Sequence, residues 1–425
     1  MSSQSTSIFV LPLAACLGLL GSAPTALAEL PVHGPAILLC RANFSGAYNL
    51  PNSAFFTNST PALNEAGETA IHLSVLGNDT RGVFYHDGEV GGVAFEGPVG
   101  AFLSDVSINN GGRVVFPMSQ SSNQDGIWRW DAPTDTAGRL TNLPLGTSTW
   151  GSPQVDDLNR VGYRAGFPGG QAFASWDNGA VAIHATENGI DSGSPYSFLF
   201  TPSANGQRQI AGKVRLGAAG QIDESRPDQI RIWNSDGTSV LIAEDVNSNV
   251  SSPYARFDNS VSLTDNGWVA FTALGNDNRR GVYFSNGTTT RQIAIDDNTL
   301  VTEVEFFAPA ANDAGQVVFR GRNNAGLQTI FVGDGSTLAE VIKEHDLVDT
   351  DLGQARLDQH DNSPIFGGAP AINQLGDVAF GAGLAPPANN QIEWGSGVFV
   401  MRADSGIFAD GFESGDTTAW TSTVP

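Results

Sequence analysis

The chain has 425 residues and a formal charge of −23, with 21 Lys and Arg against 44 Asp and Glu. Such a charge repels nucleic acid and anionic membrane surfaces. Glycine at 50 residues and charged residues at only 15% describe a chain of many turns, without a long amphipathic helical period.

Residues 1–28 read as an export signal. The apolar stretch "IFVLPLAACLGLLGSA" ends in Ala26-Leu27-Ala28, a small-x-small cleavage pattern, although "MSSQSTS" lacks the usual basic start. Leu13-Ala14-Ala15-Cys16 offers a rival lipoprotein box, which the apolar run continuing to Leu20 disfavours. The expected location is therefore outside the cytoplasm: periplasmic, extracellular or attached to the cell surface. Beyond residue 28 only Cys40 remains, so no intramolecular disulfide can form and a large core must hold the chain. No later segment has the ~20 apolar residues of a membrane-spanning helix. A monomer is expected.

From residue 29 to 404 one unit recurs seven times. A turn column reads Asn64, Asn109, Asp156, Ser203, Thr264, Asn312 and Asn373. Three residues later stand Gly67, Gly112, Asn159, Gly206, Gly267, Gly315 and Gly376. The first column holds short polar side chains that fold back onto the backbone, and the second holds residues that tolerate a left-handed conformation. Substitution within one physical class says that these columns make a turn. An apolar strand follows, as in "VVF" and "VAF", and then a strand whose third position is aromatic: Phe84, Trp128, Trp176, Trp233, Tyr283, Phe331 and Phe399. A weaker third strand ("RQIAIDD") comes next. A fourth, usually with an aromatic ("FFAPAAN", "FGGAPAIN"), leads into the next turn.

Four short strands per unit, repeating at 45 to 61 residues, is the spacing of propeller blades. The expected fold is all-β, a seven-bladed β-propeller of four-stranded blades. The seventh copy lacks its third strand, and "AILLCRAN" (36–43) is a spare strand before the first unit. That segment is expected to complete the last blade, leaving no open edge and burying Cys40.

The phrase Asn-x-x-Gly-x-x-(Ala/Val)-Phe resembles the tandem "NxxGxxAF" repeats of bacterial exported proteins of the choice-of-anchor type. The resemblance covers about residues 55–401 and is weakest in copies three and four. It implies repeat architecture and export, and it transfers no catalytic residue. The tail 405–425 contains "DGFESGDTTAW", which resembles a short C-terminal element of secreted bacterial proteins and implies sorting or attachment; a disordered polar end is the plainer reading.

No catalytic set stands out. His33, His72, His86, His184, His345 and His360 show no metal-ligand spacing, and no G-x-S-x-G elbow or calcium-loop pattern occurs. Asp296 and Asp297, or Asp349 and Asp351, could hold Ca²⁺ from loops, whereas acidic turns are ordinarily just solvated. With 44 acidic residues, no single carboxylate pair is informative. The tryptophans of the aromatic column read as packing residues, while Trp394, in a long insertion of the last copy, is the candidate for an exposed ligand contact. Insertions at 213–228 and 345–365 are expected over one face of the ring. The preferred function is a binding or scaffold module for glycan or envelope protein, needing no cofactor. The alternatives are a polysaccharide hydrolase or lyase using channel carboxylates, and a structural spacer.

Overall fold

The computed structural model describes residues 30–43, 45–56, 59–75, 79–120, 125–144, 146–297, 299–360 and 364–404. The segment 1–28, read above as an export signal, and the tail 405–425 lie outside these residues. Seven antiparallel sheets stand in sequence order, and among the described residues there is no α-helix. Blade three shows the plan: strands 149–155, 161–167, 170–177 and 180–186 pair in that order from the innermost outward. In blades one, two, six and seven the inner strand is split into two short pieces. The protein is a seven-bladed β-propeller.

Closure is made by strand 37–42. It pairs with strand 395–401 as the outermost strand of blade seven, Ile37 opposite Val400 and Ala42 opposite Ser396. The short strands 32–33 and 403–404 also pair. Leu39 and Cys40 are buried in the core between blades seven and one, beside Ile71 and Phe84. Burial pushes the Cys40 thiol far above its ordinary range, so it stays protonated. The closing strand is also clasped by side chains across its own sheet: Arg41 donates to both carboxylate oxygens of Asp351 at 2.8 and 2.7 Å, and to the Trp394 carbonyl at 2.8 Å. Asp351 sits in the hairpin 347–357, part of the 345–365 insertion.

Apolar cores lie between neighbouring blades. The second strand of each blade is buried on both faces, because it meets a blade on either side. In blades one, two, five, six and seven the aromatic of the third strand lies directly opposite the second-strand column, as in Phe319 opposite Phe331 and Phe380 opposite Phe399. Trp176 and Trp233 are shifted by two residues and face Val161 and Ile210 instead. A two-residue shift keeps a side chain on the same face of a strand, so the packing role survives the slip.

The residue after the apolar column was not anticipated. It is Arg164, Lys213 and Arg320 in blades three, four and six, and each side chain crosses to a carbonyl at a bulge in the next blade's inner strand. Arg164 reaches Leu199 O at 3.1 Å, Lys213 reaches Phe257 O at 2.9 Å, and Arg320 reaches Gly368 O at 2.6 Å. Lys213 also pairs with Asp228 at 3.0 Å, and Arg320 with Glu305 at 2.6 Å.

Candidate functional site

The Asn-x-x-Gly turns join the inner strand of each blade to its second strand, so all seven gather at one end of the central channel. Each is a hairpin closed by a backbone bond from the fourth residue to the first, such as Gly315 N to Asn312 O at 3.0 Å. Gly315 there takes φ +82°, a conformation in which a Cβ is costly. In copy four the turn is Asn205 to Arg208, not Ser203 to Gly206: Arg208 N bonds Asn205 O at 3.2 Å and Arg208 holds φ +61°. Gly206 is the second residue of this turn, and the left-handed position expected for it is held by a non-glycine, Arg208, which carries no signature in sequence.

The asparagines do more than shape turns. Asn312 Oδ1 accepts from Gln316 N at 3.1 Å, while its Nδ2 donates to the carbonyl of the next blade's Asn373 at 3.1 Å. Asn64 reaches Asn109 O, Asn109 reaches Asp156 O, Asn205 reaches Thr264 O, and Asn373 reaches Asn64 O, at 2.9 to 3.0 Å. Asp156 and Thr264 have no amide to give. Arg160 spans the first gap by donating to Gly206 O, and Asn266 spans the second by donating to Asp313 O at 2.9 Å. All seven junctions are thus bridged, a role that an amide column permits and that turn chemistry alone would not demand.

A second circle of bonds uses the next position. Glu65, Asn110, Asp157, Asp265, Asp313 and Gln374 each accept a backbone N–H from the preceding blade at 2.7 to 3.1 Å. The acidic rim of this mouth is therefore occupied in holding blades together. Burial pushes the Glu65 carboxyl above its ordinary range, and Asp157 and Asp377 add to the rise.

Inside, a cavity of 580 Å³ runs along the channel, lined by hydroxyls and prolines from five blades, among them Ser107, Pro153, Thr201 and Ser260, and by Ala308 from a sixth. Of its lining residues only His72 and Asp105 carry an imidazole or a carboxyl group. Burial lowers the affinity of His72 for a proton. Away from the turns stand aromatics of the inner-strand segments, Phe102, Trp150 and Phe198 at or near strand starts and Phe306 between strands 301–304 and 310–311. Phe102 is 58% and Phe306 71% exposed, with Phe306 stacked 5.7 Å from Phe307, and Trp150 and Phe198 are half-buried. Phe102 and Trp150 line a smaller cavity of 240 Å³ that shares Ser104 with the channel. The fourth-strand aromatic was legible in the sequence, but not its outward exposure.

The four aspartates singled out in the sequence are not brought together. Asp296 and Asp297 follow the outer strand of blade five, where Asp297 accepts from Thr299 N at 2.9 Å. Asp351 is the partner of Arg41, and Asp349 lies in the same hairpin. Among the described residues, the group of three metal-capable side chains within 4.8 Å is Glu344, His345 and Asp358. There Arg356 already pairs with the buried Asp358. Trp394 is half-buried and packs against the core of blades six and seven, its carbonyl taken by Arg41.

No protein-family profile matches the chain, and no curated protein matches it in sequence. Solved β-propellers resemble it in fold. The β-propeller domain of the Trilobed protease from Pyrococcus furiosus aligns at TM-score 0.53 and 12% identity, over 82% of this chain and 96% of that one. An oligogalacturonate lyase from Vibrio parahaemolyticus aligns at TM-score 0.51 and 11% identity, over 87% and 92%. The former is described as having an open velcro topology, whereas here strand 37–42 closes the ring. At such identities the likeness carries the fold alone. No helix among the described residues is long and apolar enough to cross a membrane.

Proposed function

We propose that this is an exported binding propeller that takes a saccharide at the channel mouth opposite the turns. The observation that carries the reading is the exposed Phe102, which with Trp150 lines a cavity that shares Ser104 with a hydroxyl-lined channel, together with the exposed Phe306 on another inner strand segment. Aromatic faces supply apolar area to sugar rings, and hydroxyls, amides and carbonyls supply the polar contacts that orient a polyol. A channel of 580 Å³ falls within the usual size range for small-ligand sites of ~300–1,000 Å³. Binding is favoured over hydrolysis because the channel lining offers one carboxylate, Asp105, and the turn-side carboxylates already accept backbone bonds. Export and attachment through residues 1–28 and 405–425, and kinship with the exported "NxxGxxAF" proteins, belong to the same proposal.

A glycan array on residues 29–404, with calcium and again with EDTA, tests it. Binding that survives EDTA and is lost in Phe102→Ala/Phe306→Ala at unchanged melting temperature is the expected result. Binding lost in EDTA would move the site to the acidic loops. A blank array would move the reading to a protein partner, sought by pull-down from envelope extract.

A further inference from the structure

The interface between blades three and four departs from the other six. Its apolar core has six buried side chains, against eight to fourteen elsewhere among the described residues. A cavity of 510 Å³ runs from the turn-side mouth, at Glu65, Asp157 and Asp265, to Ser175 and Arg208 near this interface. Ser175 lies on the third strand of blade three. His184 is the extra residue of a bulge on the outer strand, between Ala185 opposite Phe173 and Ile183 opposite Ala174. His184 Nε2 stands 2.8 Å from Ser175 Oγ, and the two residues are 4% and 6% exposed.

The repeats supply an internal control. The corresponding pair is Ile232 with Ile242 in blade four, Phe284 with Ile293 in blade five and Val332 with Val341 in blade six. Both members of an apolar pair have become polar together, in one blade, beside a cavity. Burying a hydroxyl and an imidazole costs stability that an aliphatic pair would not. Nor are the groups saturated: His184 Nδ1 and Arg208 Nε are buried without a hydrogen bond. With the proton on Nδ1, Nε2 is free to accept from the serine hydroxyl. Burial also holds the ring neutral.

We propose that Ser175 and His184 form a nucleophile–base dyad that cleaves small carboxylic esters. Ser175 Oγ attacks the ester carbonyl carbon while Nε2 takes the hydroxyl proton. The bond from that carbon to the alkoxy oxygen then breaks, and the departing alcohol receives the proton. Water releases the acyl group as a carboxylic acid by the same route, restoring the serine. Arg208, lining the cavity, supplies positive charge for the developing oxyanion. The carboxylates of Glu65, Asp157 and Asp265 along the approach select a neutral or cationic ester.

The test is labelling of the full chain with a fluorophosphonate, followed by peptide mapping, together with turnover of p-nitrophenyl acetate. An adduct on Ser175 is expected, with the hydroxyl oxygen displacing fluoride from phosphorus. Ser175→Ile/His184→Ile, which rebuilds the blade-four pair, should fold with an equal or higher melting temperature. It should lose the label and, by removing general-base assistance, roughly 10²–10⁴-fold of the turnover. Absence of a Ser175 adduct on folded wild-type protein, or equal turnover by the rebuilt variant, overturns the proposal. Neither assay reads saccharide binding at the opposite mouth, so the two proposals fail separately.

Discussion

The junction between blades six and seven and the one between blades three and four are built from the same repeat and differ in their turn-side bridges and in their apolar cores. At the first, Asn312 Nδ2 reaches Asn373 O, Asp313 N reaches Gln374 Oε1, Arg320 is paired with Glu305, and fourteen buried apolar side chains fill the gap. At the second, Asp156 has no amide to donate, Gly206 has no side chain to accept, and Arg160 makes the bridge. A cavity opens where the core has thinned. The substitutions that weaken copies three and four as repeats cluster in space, which distinguishes a specialised junction from random drift along the chain.

The comparison breaks most readily at the buried cations. Arg320→Ala should cost ~3–5 kcal/mol in urea unfolding, because the Glu305 side chain, only 12% exposed, is left without its partner. Arg164→Ala at the other junction forfeits mainly the bond to Leu199 O and should cost ~1–3 kcal/mol. Equal losses would show that the two junctions are energetically alike.

Smaller effects test the turns. Gly315→Val places a β-branched residue at φ +82°, with Arg291 Nη1 3.0 Å from the new Cβ, and should cost ~1–2 kcal/mol. Arg208→Gly relieves the same conformation and should gain up to ~1 kcal/mol, since its ion pair with Asp177, at 3.7 Å and well exposed, contributes little. A loss in melting temperature for Arg208→Gly would mean that the arginine stabilises its junction by contacts other than that pair.

Acid sharpens the picture at the smallest scale. Burial, with Arg208 adding to it, depresses the proton affinity of His184, so the unfolded chain takes up that proton first. The stability it protects is present above the unfolded value, about 6.5, and is lost as pH falls below it toward the folded value. The stability difference between wild type and His184→Gln should therefore move against wild type as pH drops from 7 to 5, by chemical denaturation. A pH-independent difference would show that the ring is not shielded from protons.

The architecture was legible because turn chemistry repeats: Asn312, Gly315 and their equivalents meet the same backbone requirement seven times, and the missing strand of copy seven called for the spare segment at 37–42. The register of copy four was not legible, since Arg208 does by context what glycine does by propensity. The bridging role of the asparagines was equally hidden, because an amide that caps its own turn and one that also reaches the next blade look the same in sequence. The Ser175–His184 pair sits nine residues apart on neighbouring strands, and only the bulge at His184 turns the imidazole to the serine. The loop aspartates show the opposite limit: Asp351 was conspicuous as an acid in a loop, but its partner, Arg41, lies 310 residues away in sequence.

The closing strand also imposes an order on biosynthesis. Strand 37–42 is made early and its partner, 395–401, is made after every other blade strand, so blade seven is the last to be completed. The entropy of joining such distant segments grows only slowly with their separation, whereas the rate of finding non-local pairings falls. Until then the backbone edge of 395–401 is an unpaired template, and Leu38 and Leu39 are without a core. In that interval a second chain can supply the missing strand as well as the first, so dilution during refolding should govern the yield of monomeric rings.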